Sequence, residues 1–413
     1  MIKKDNKGIW DLSHFPSKLS SHTQNKNQLI IKEYDYQSLY DQLALMSHYF
    51  HNYDEISENE RLDIRSYIFD TLNCLYPESQ LYNTGISADE WTQLDLFTSL
   101  MDVPFPNRKE YKFKFIDLFA GIGGIRLPFS ELGGKCVFSS EWDKYAQSSY
   151  IHNYGEVPFG DITKIREDFI PSHDILLAGF PCQAFSIIGK MKGFDDTRGT
   201  LFFDVARILK YHKPKAFLLE NVKQLVTHDK GNTFRTILQT LEDLGYHVKW
   251  KILNALDFGV PQKRERTIIV GFLDIDGYER FNFDFPQRTY DLSTIIENDN
   301  EVDPSLFASE DIRNKRLRRI AGKNVFYPSI WHENKSGNIS ILPYACALRT
   351  GASYNYLLVN GYRRPSSREL LRLQGFPENF EIVVSHSEIR KQTGNSVAVP
   401  MIREVAKKLV ELL

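Results

Sequence analysis

From residue 113 onward, short unbroken apolar runs recur at intervals: "KFIDLF" (114–119), "KCVFSSEW" (135–142), "DILLAGF" (174–180), "AFLLEN" (216–221) and "TIIVGF" (267–272). Runs of this length, rich in branched and aromatic residues and lacking polar alternation, predict strands buried on both faces. Between them "GTLFFDVARILKYH" (199–212) and "TFRTILQTLEDLGY" (233–246) place apolar residues at helical spacing. Strand and helix patterns in alternation predict an α/β fold, a parallel sheet with helices on both faces.

The rhythm divides the chain. Residues 1–110 form an N-terminal extension whose stretches "YQSLYDQLALMSHYF" (36–50) and "RLDIRSYIFDTLNCLY" (61–76) predict helices. "DVPFPNRKEYKFK" then supplies a linker with two prolines and a charge run. The α/β pattern occupies 113–273, breaks into loops and aromatic, Gly and Asn rich segments over 274–360, and returns as helical patterns over 361–413. The sequence therefore predicts one α/β domain interrupted by a small irregular one.

Composition narrows the class. With 42% hydrophobic and 25% charged residues among 413, the chain has the make-up of a soluble globular protein. It lacks an apolar stretch of 18 residues, and "MIKKDNKGIWDLSHF" has no apolar signal core, so a cytoplasmic location without a membrane partner is expected. Cys74, Cys136, Cys182 and Cys346 show no metal-binding spacing, so free thiols and no metal are expected. Residues 1–110 hold 17 of the 53 acidic and 10 of the 51 basic residues, so the net charge of −2 conceals +5 on residues 111–413. A polyanionic partner would meet that second part.

Three constellations sit where strands end, and a fourth stands just ahead of a strand. "DLFAGIGG" (117–124) places Gly121, Gly123 and Gly124 after the first strand, with Glu141 20 residues beyond Gly121 and Asp161 in "FGDITKI". A glycine turn alone can be only a tight turn; with two carboxylates it suits an adenosine-containing cofactor. "GFPCQAFS" puts Cys182 just past a buried strand, where Pro181 aims it or where it merely fills a gap under a loop. Glu220 in "AFLLENV" occupies the same place one unit later, as an active acid, a helix cap or an ion-pair partner. "QKRER" (262–266) offers guanidinium donors or only a solvated face.

Taken in order, "DLFAGIGG", "EW", "GDI", "GFPCQAFS", "DTRGTLFFDVARIL", "LENV", "ALDFGVPQKRER", "SSRELLRLQGFPENF" and "KQTGNSVAVP" resemble the blocks of the DNA (cytosine-5) methyltransferases, bacterial restriction-modification type. The resemblance implies a Rossmann-like S-adenosylmethionine-dependent methyltransferase sheet with a small target-recognition domain at 274–360 and a helical N-terminal extension. It implies Cys182 as nucleophile on cytosine C6, Glu220 as donor to N3, Arg266 at O2 and Arg264 in support. For S-adenosylmethionine it implies Phe119, Gly121, Gly123, Gly124, Glu141, Trp142, Asp161, Ile162, Leu201 and Asn395. Ser186 and Arg198 belong to a loop, 184–199, expected to close on double-stranded DNA around a flipped-out base. Basic residues of 313–323 are expected at phosphates.

Where the family has a Thr-Leu pair this chain has Ala347-Leu348, and residues 1–110 fall outside the common core, where structural support is expected ahead of regulation. The expected protein is a monomeric enzyme that protects DNA from a cognate restriction endonuclease acting on the same site. Two alternatives remain: a tRNA cytosine-5 methyltransferase, whose Cys-Phe-Thr signature is missing, and a DNA-binding regulator without catalysis.

Overall fold

In the computed structural model, which describes residues 3–4, 10–11, 41, 44, 48, 103–107, 110–181 and 201–413, the apolar runs form one twisted six-stranded sheet. Its elements are β1 (Phe113–Leu118), α1 (Arg126–Glu131), β2 (Gly134–Ser140), α2 (Lys144–Tyr154), β3 (Ile175–Ala178), α3 (Leu201–His212), β4 (Ala216–Val222), α4 (Asn232–Asp243), β5 (His247–Asn254), the two-residue β6 (Gln262–Lys263) and β7 (Glu265–Phe272). The strand order is β2-β1-β3-β4-β7-β5.

The sheet is parallel from β2 to β4, but β7 runs antiparallel to both β4 and β5. The sheet is thus mostly parallel, as the Rossmann-like fold expected from the sequence requires, with one strand reversed. The cause is connection length: β5 reaches β7 through residues 255–264 without a crossover helix, and so short a link joins only antiparallel neighbours. The reversal brings the start of β7 to the edge where β1, β3 and β4 end.

Both faces are covered, which explains the uninterrupted apolar runs. Leu176, Ala178, Phe217 and Leu219 face a core shared with Phe202, Val205 and Leu209 of α3 and with Ile237 and Leu241 of α4. Their neighbours Ile175, Leu177, Ala216 and Leu218 face the opposite core. That second core is completed by the last helix, described below.

After β7 come α5 (Ile275–Arg280), α6 (Glu310–Arg319), β8 (Ile330–Glu333), β9 (Ile339–Leu342), β10 (Ala345–Cys346) and β11 (Leu357–Val359). Strands β9, β8 and β11 make a small antiparallel sheet, while β10 pairs with β6 and ties this region to the main body. Strands of two to four residues leave no readable run, so the sequence showed only irregularity here. The basic stretch is also less free than expected. Arg316 is buried and donates to Glu333 at 3.0 Å, Arg319 pairs with the same carboxylate at 2.5 Å, and Arg313, Lys315 and Arg318 stay exposed.

The chain ends in α7 (Ser367–Arg372), α8 (His386–Asn395) and α9 (Val399–Val410). Ser366 and Glu369 close a capping box on α7, and Glu369 also takes two 2.8 Å hydrogen bonds from the buried Arg363. Helix α9 buries Met401, Ile402, Val405, Ala406 and Leu409 against the second core and packs beside α1, so its approach carries residues 395–397 back to the first strand. Of the extension, Asp41, Ala44 and His48 are helical and buried, with His48 4.8 Å from the Phe138 ring. The predicted helix at 61–76 and the rest of 36–50 lie outside the described residues.

Candidate active site

A cleft of about 1460 Å³ opens along the carboxyl edge of β1, β2, β3 and β4. Parallel strands end there together, and in open α/β sheets that edge is the ligand-binding one. All ten positions marked for a cofactor line it except Gly123.

The glycine turn divides its labour. Phe119 adopts φ +54°, unusual for a non-glycine residue, at the exit of β1. Gly121 has φ +57° and a Cβ there would meet no atom within 4 Å, so its backbone faces open space. At Gly123 a Cβ would fall 2.3 Å from the Tyr154 ring, and at Gly124 2.7 Å from Ser396 Oγ. Gly123 therefore permits close packing behind the turn, while Gly124 packs against Ser396 and still lines the cleft.

Two carboxylates are held beside that opening. Glu141 accepts from the backbone N–H of Gly121 at 2.7 Å on one oxygen and from that of Asp143 at 2.8 Å on the other. Burial raises its pKa, and these donors pull it back. Asp161 caps a short turn by accepting from Thr163 N at 3.0 Å. Trp142 stands 78% exposed at the cleft wall, an aromatic face left uncovered among the described residues.

At the other end lie the exits of β3 and β4. Pro181 is described; Cys182, Ser186 and Arg198 lie outside the described residues. Glu220 is 7% exposed, and Arg266 Nε stands 2.8 Å from its Oε1. The two are diagonal partners across the antiparallel ladder, since Glu220 pairs with Ile268 and Arg266 with Val222. A Cβ on Gly179 would lie 3.6 Å from Glu220 Oε2, which brings the carboxyl against the strand exit that leads to Cys182. Burial, the largest influence, raises the Glu220 pKa, while Arg266 and then Arg264 lower it.

Arg264 sits elsewhere. It is wholly buried, does not line the cleft, and donates to the carbonyls of Leu348 at 3.1 Å, Gly394 at 3.0 Å and Ser396. It straps the small region and the end of α8 onto the sheet edge. One residue escaped sequence reasoning: Asn221 Nδ2 donates to Phe180 O at 2.9 Å, fully buried, and so ties the exit of β4 to the backbone just before Pro181. Its clue was an amide directly after a buried acid.

The C-5 cytosine-specific DNA methylase family model matches residues 113–411. This chain belongs to that family. It is 60% identical over 308 residues to the type II methyltransferase M.HaeII of Haemophilus aegyptius, covering 74% of this chain and 94% of that protein. It is also 60% identical over 302 residues to M.NgoBI of Neisseria gonorrhoeae, covering 73% and 94%. Solved structures of a DNMT2 mutant from Spodoptera frugiperda and of the methyltransferase EhMeth from Entamoeba histolytica share the fold. Their TM-scores are 0.55 and 0.56 at 20% and 18% identity, covering 72% and 74% of this chain and 100% and 99% of theirs.

The methylase buries a further acid beneath its glycine turn. Asp117 is 1% exposed, neither oxygen meets an aligned donor, and its pKa is raised to about 8, chiefly by burial, with Arg126 opposing. A folded value above the unfolded one means that its contribution to stability is complete below the unfolded pKa near 4 and is lost as pH rises through about 8. Asp117→Asn is expected to flatten that loss, worth roughly 1.4 kcal/mol per pH unit of window. Urea midpoints of both proteins at acidic and mildly alkaline pH check this; parallel curves would refute it.

Proposed function

We propose that this methylase transfers a methyl group to C5 of a cytosine within a specific double-stranded DNA sequence, using S-adenosylmethionine. The observation that carries the reading is the buried Glu220 beside Arg266, set against Gly179, three residues before Cys182 in the sequence. Support for the cofactor comes from the open backbone at Gly121, the anchored Glu141 and the uncovered Trp142, a cradle suited to a ribose and an adenine ring. Phe119, Gly124, Asp161, Ile162, Leu201 and Asn395 complete that wall of the cleft, with Gly123 shaping the turn behind it.

In this reading the Cys182 thiolate forms a bond to C6 of a base flipped out of the duplex. Glu220 gives its proton to N3 as charge develops there, and the Arg266 guanidinium stabilises O2. C5 thereby gains enamine character. The bound cofactor supplies an electrophilic methyl group. A base then takes the C5 proton, N3 returns its proton to Glu220, and Cys182 leaves C6 by β-elimination, which restores the ring. Arg264 and Asn221 act by position, one on the α8 end and one on the Phe180 carbonyl.

Ser186 and Arg198 belong to the loop that closes on DNA, and residues 274–360 to target recognition. The enzyme acts as a cytoplasmic monomer that modifies sites attacked by a cognate restriction endonuclease, and residues 1–110 support the fold. Incubation with tritiated S-adenosylmethionine and either duplex DNA or tRNA tests the reading. Label is expected in DNA; label in tRNA alone would overturn it.

A further inference from the structure

We propose that Arg349, Arg364 and Arg390, gathered around Tyr354 and Tyr356, hold a backbone phosphate of duplex DNA at the rim of the cleft. The inference rests on the DNA reading above and names a contact for it. The guanidinium carbons of Arg364 and Arg390 lie 4.2 and 4.6 Å from the centroid of the Tyr354 ring, and Arg349 lies over the neighbouring Tyr356 at 5.4 Å. All three arginines line one small concavity together with Tyr354 and His386.

Among the described residues three cations converge there without a counter-ion. Among the described residues none of the three has a carboxylate within ion-pair distance. Arg364 donates to Asn355 Oδ1 at 2.8 Å and Ser305 O at 2.9 Å, and Arg390 to Ser353 O at 3.4 Å, all neutral acceptors. Nearby arginines are neutralised: Arg363, next in sequence, pairs with Asp299 and Glu369, and Arg316 and Arg319 share Glu333. Asp303, in electrostatic reach of His386, already accepts from Ser305 N at 2.8 Å. His386 Nε2 is buried without a hydrogen-bond partner, while its Nδ1 meets Ser367 Oγ at 3.0 Å.

Crowded like charges are unfavourable unless an anion completes them, and guanidinium forks match phosphate oxygens in geometry. Position favours a phosphodiester over a free anion. Thr350, next to Arg349, and Lys391, next to Arg390, line the active-site cleft itself, so the two concavities share a rim. A strand that delivers a base into the cleft runs past that rim.

The test is anisotropy titration of the full-length protein with a duplex it methylates and with a scrambled duplex, over a range of salt. Arg349→Gln and Arg390→Gln are each expected to weaken both duplexes by a similar factor and to lower the salt slope by about one. Arg390→Lys should retain most of the slope, and cofactor affinity should stay at the wild-type value. Unchanged affinities and slopes, or a loss confined to the methylated sequence, would overturn the proposal. So would saturable binding of inorganic phosphate that the Gln variants lose while their DNA slope stays intact, which would make the site one for free phosphate. Failure of the wild-type protein to bind or methylate duplex DNA would instead sink the functional reading itself.

Discussion

Glu220→Gln is expected to slow single-turnover methyl transfer by roughly 10²- to 10⁴-fold while leaving cofactor and DNA affinity near wild type. The amide fills the same buried site and still meets Arg266, but it has no proton to give to N3. The pH dependence follows from the same environment. Burial outweighs Arg266 and Arg264 and raises the carboxyl's pKa, so the wild-type rate should fall as pH climbs through that raised value and the donor loses its proton. The Gln variant should lack this falling limb. Stability follows the same sign: the folded pKa exceeds the unfolded one, so Glu220's contribution is complete below the unfolded value and is lost as pH rises through the folded one. A full pH–rate profile of both proteins decides the point, and a variant with wild-type turnover would remove Glu220 from the donor's role.

Much of this site was legible because its parts sit at strand ends. Apolar runs such as "ILLA" and "AFLL" announce buried strands, and chemistry that follows directly is carried to one edge by the parallel arrangement. What escaped was anything set by a neighbour far along the chain. The edge strand β5 went unread because "HVKWKILN" alternates lysines with Val248, Trp250 and Ile252, the period of a half-exposed strand, among runs of a different kind. The reversal of β7 lay in the brevity of a connection and not in any run. Arg264 and Arg266 stand two residues apart in one motif, yet one straps Gly394 and Leu348 from behind while the other faces Glu220; only packing separates them. Gly123 and Gly121 likewise look alike in sequence, and Tyr154 makes the difference.

Cys182→Ala should reduce methyl transfer to the assay background and leave S-adenosylmethionine affinity intact. Cys74 lies outside the described residues, and the two described thiols are poorly suited to attack. Burial raises the thiol pKa of Cys136, which is 1% exposed, and takes that of Cys346 up to about 11, so neither offers a thiolate near neutral pH. Cys182 follows Pro181, whose preceding carbonyl is pinned by Asn221 and whose strand exit lies against Glu220. That exit sits at the mouth of a cleft, where a thiol can meet both a base and an acid. A duplex with 5-fluorocytosine at the target supplies the second readout. Once C5 is methylated, fluorine cannot leave as a proton does, β-elimination is blocked, and the bond from sulfur to C6 should persist through denaturing electrophoresis. Wild-type protein should give that adduct and the Ala variant none. Turnover retained by Cys182→Ala, or an active wild-type enzyme that traps no adduct, would show that the attack on C6 comes from another group or does not occur.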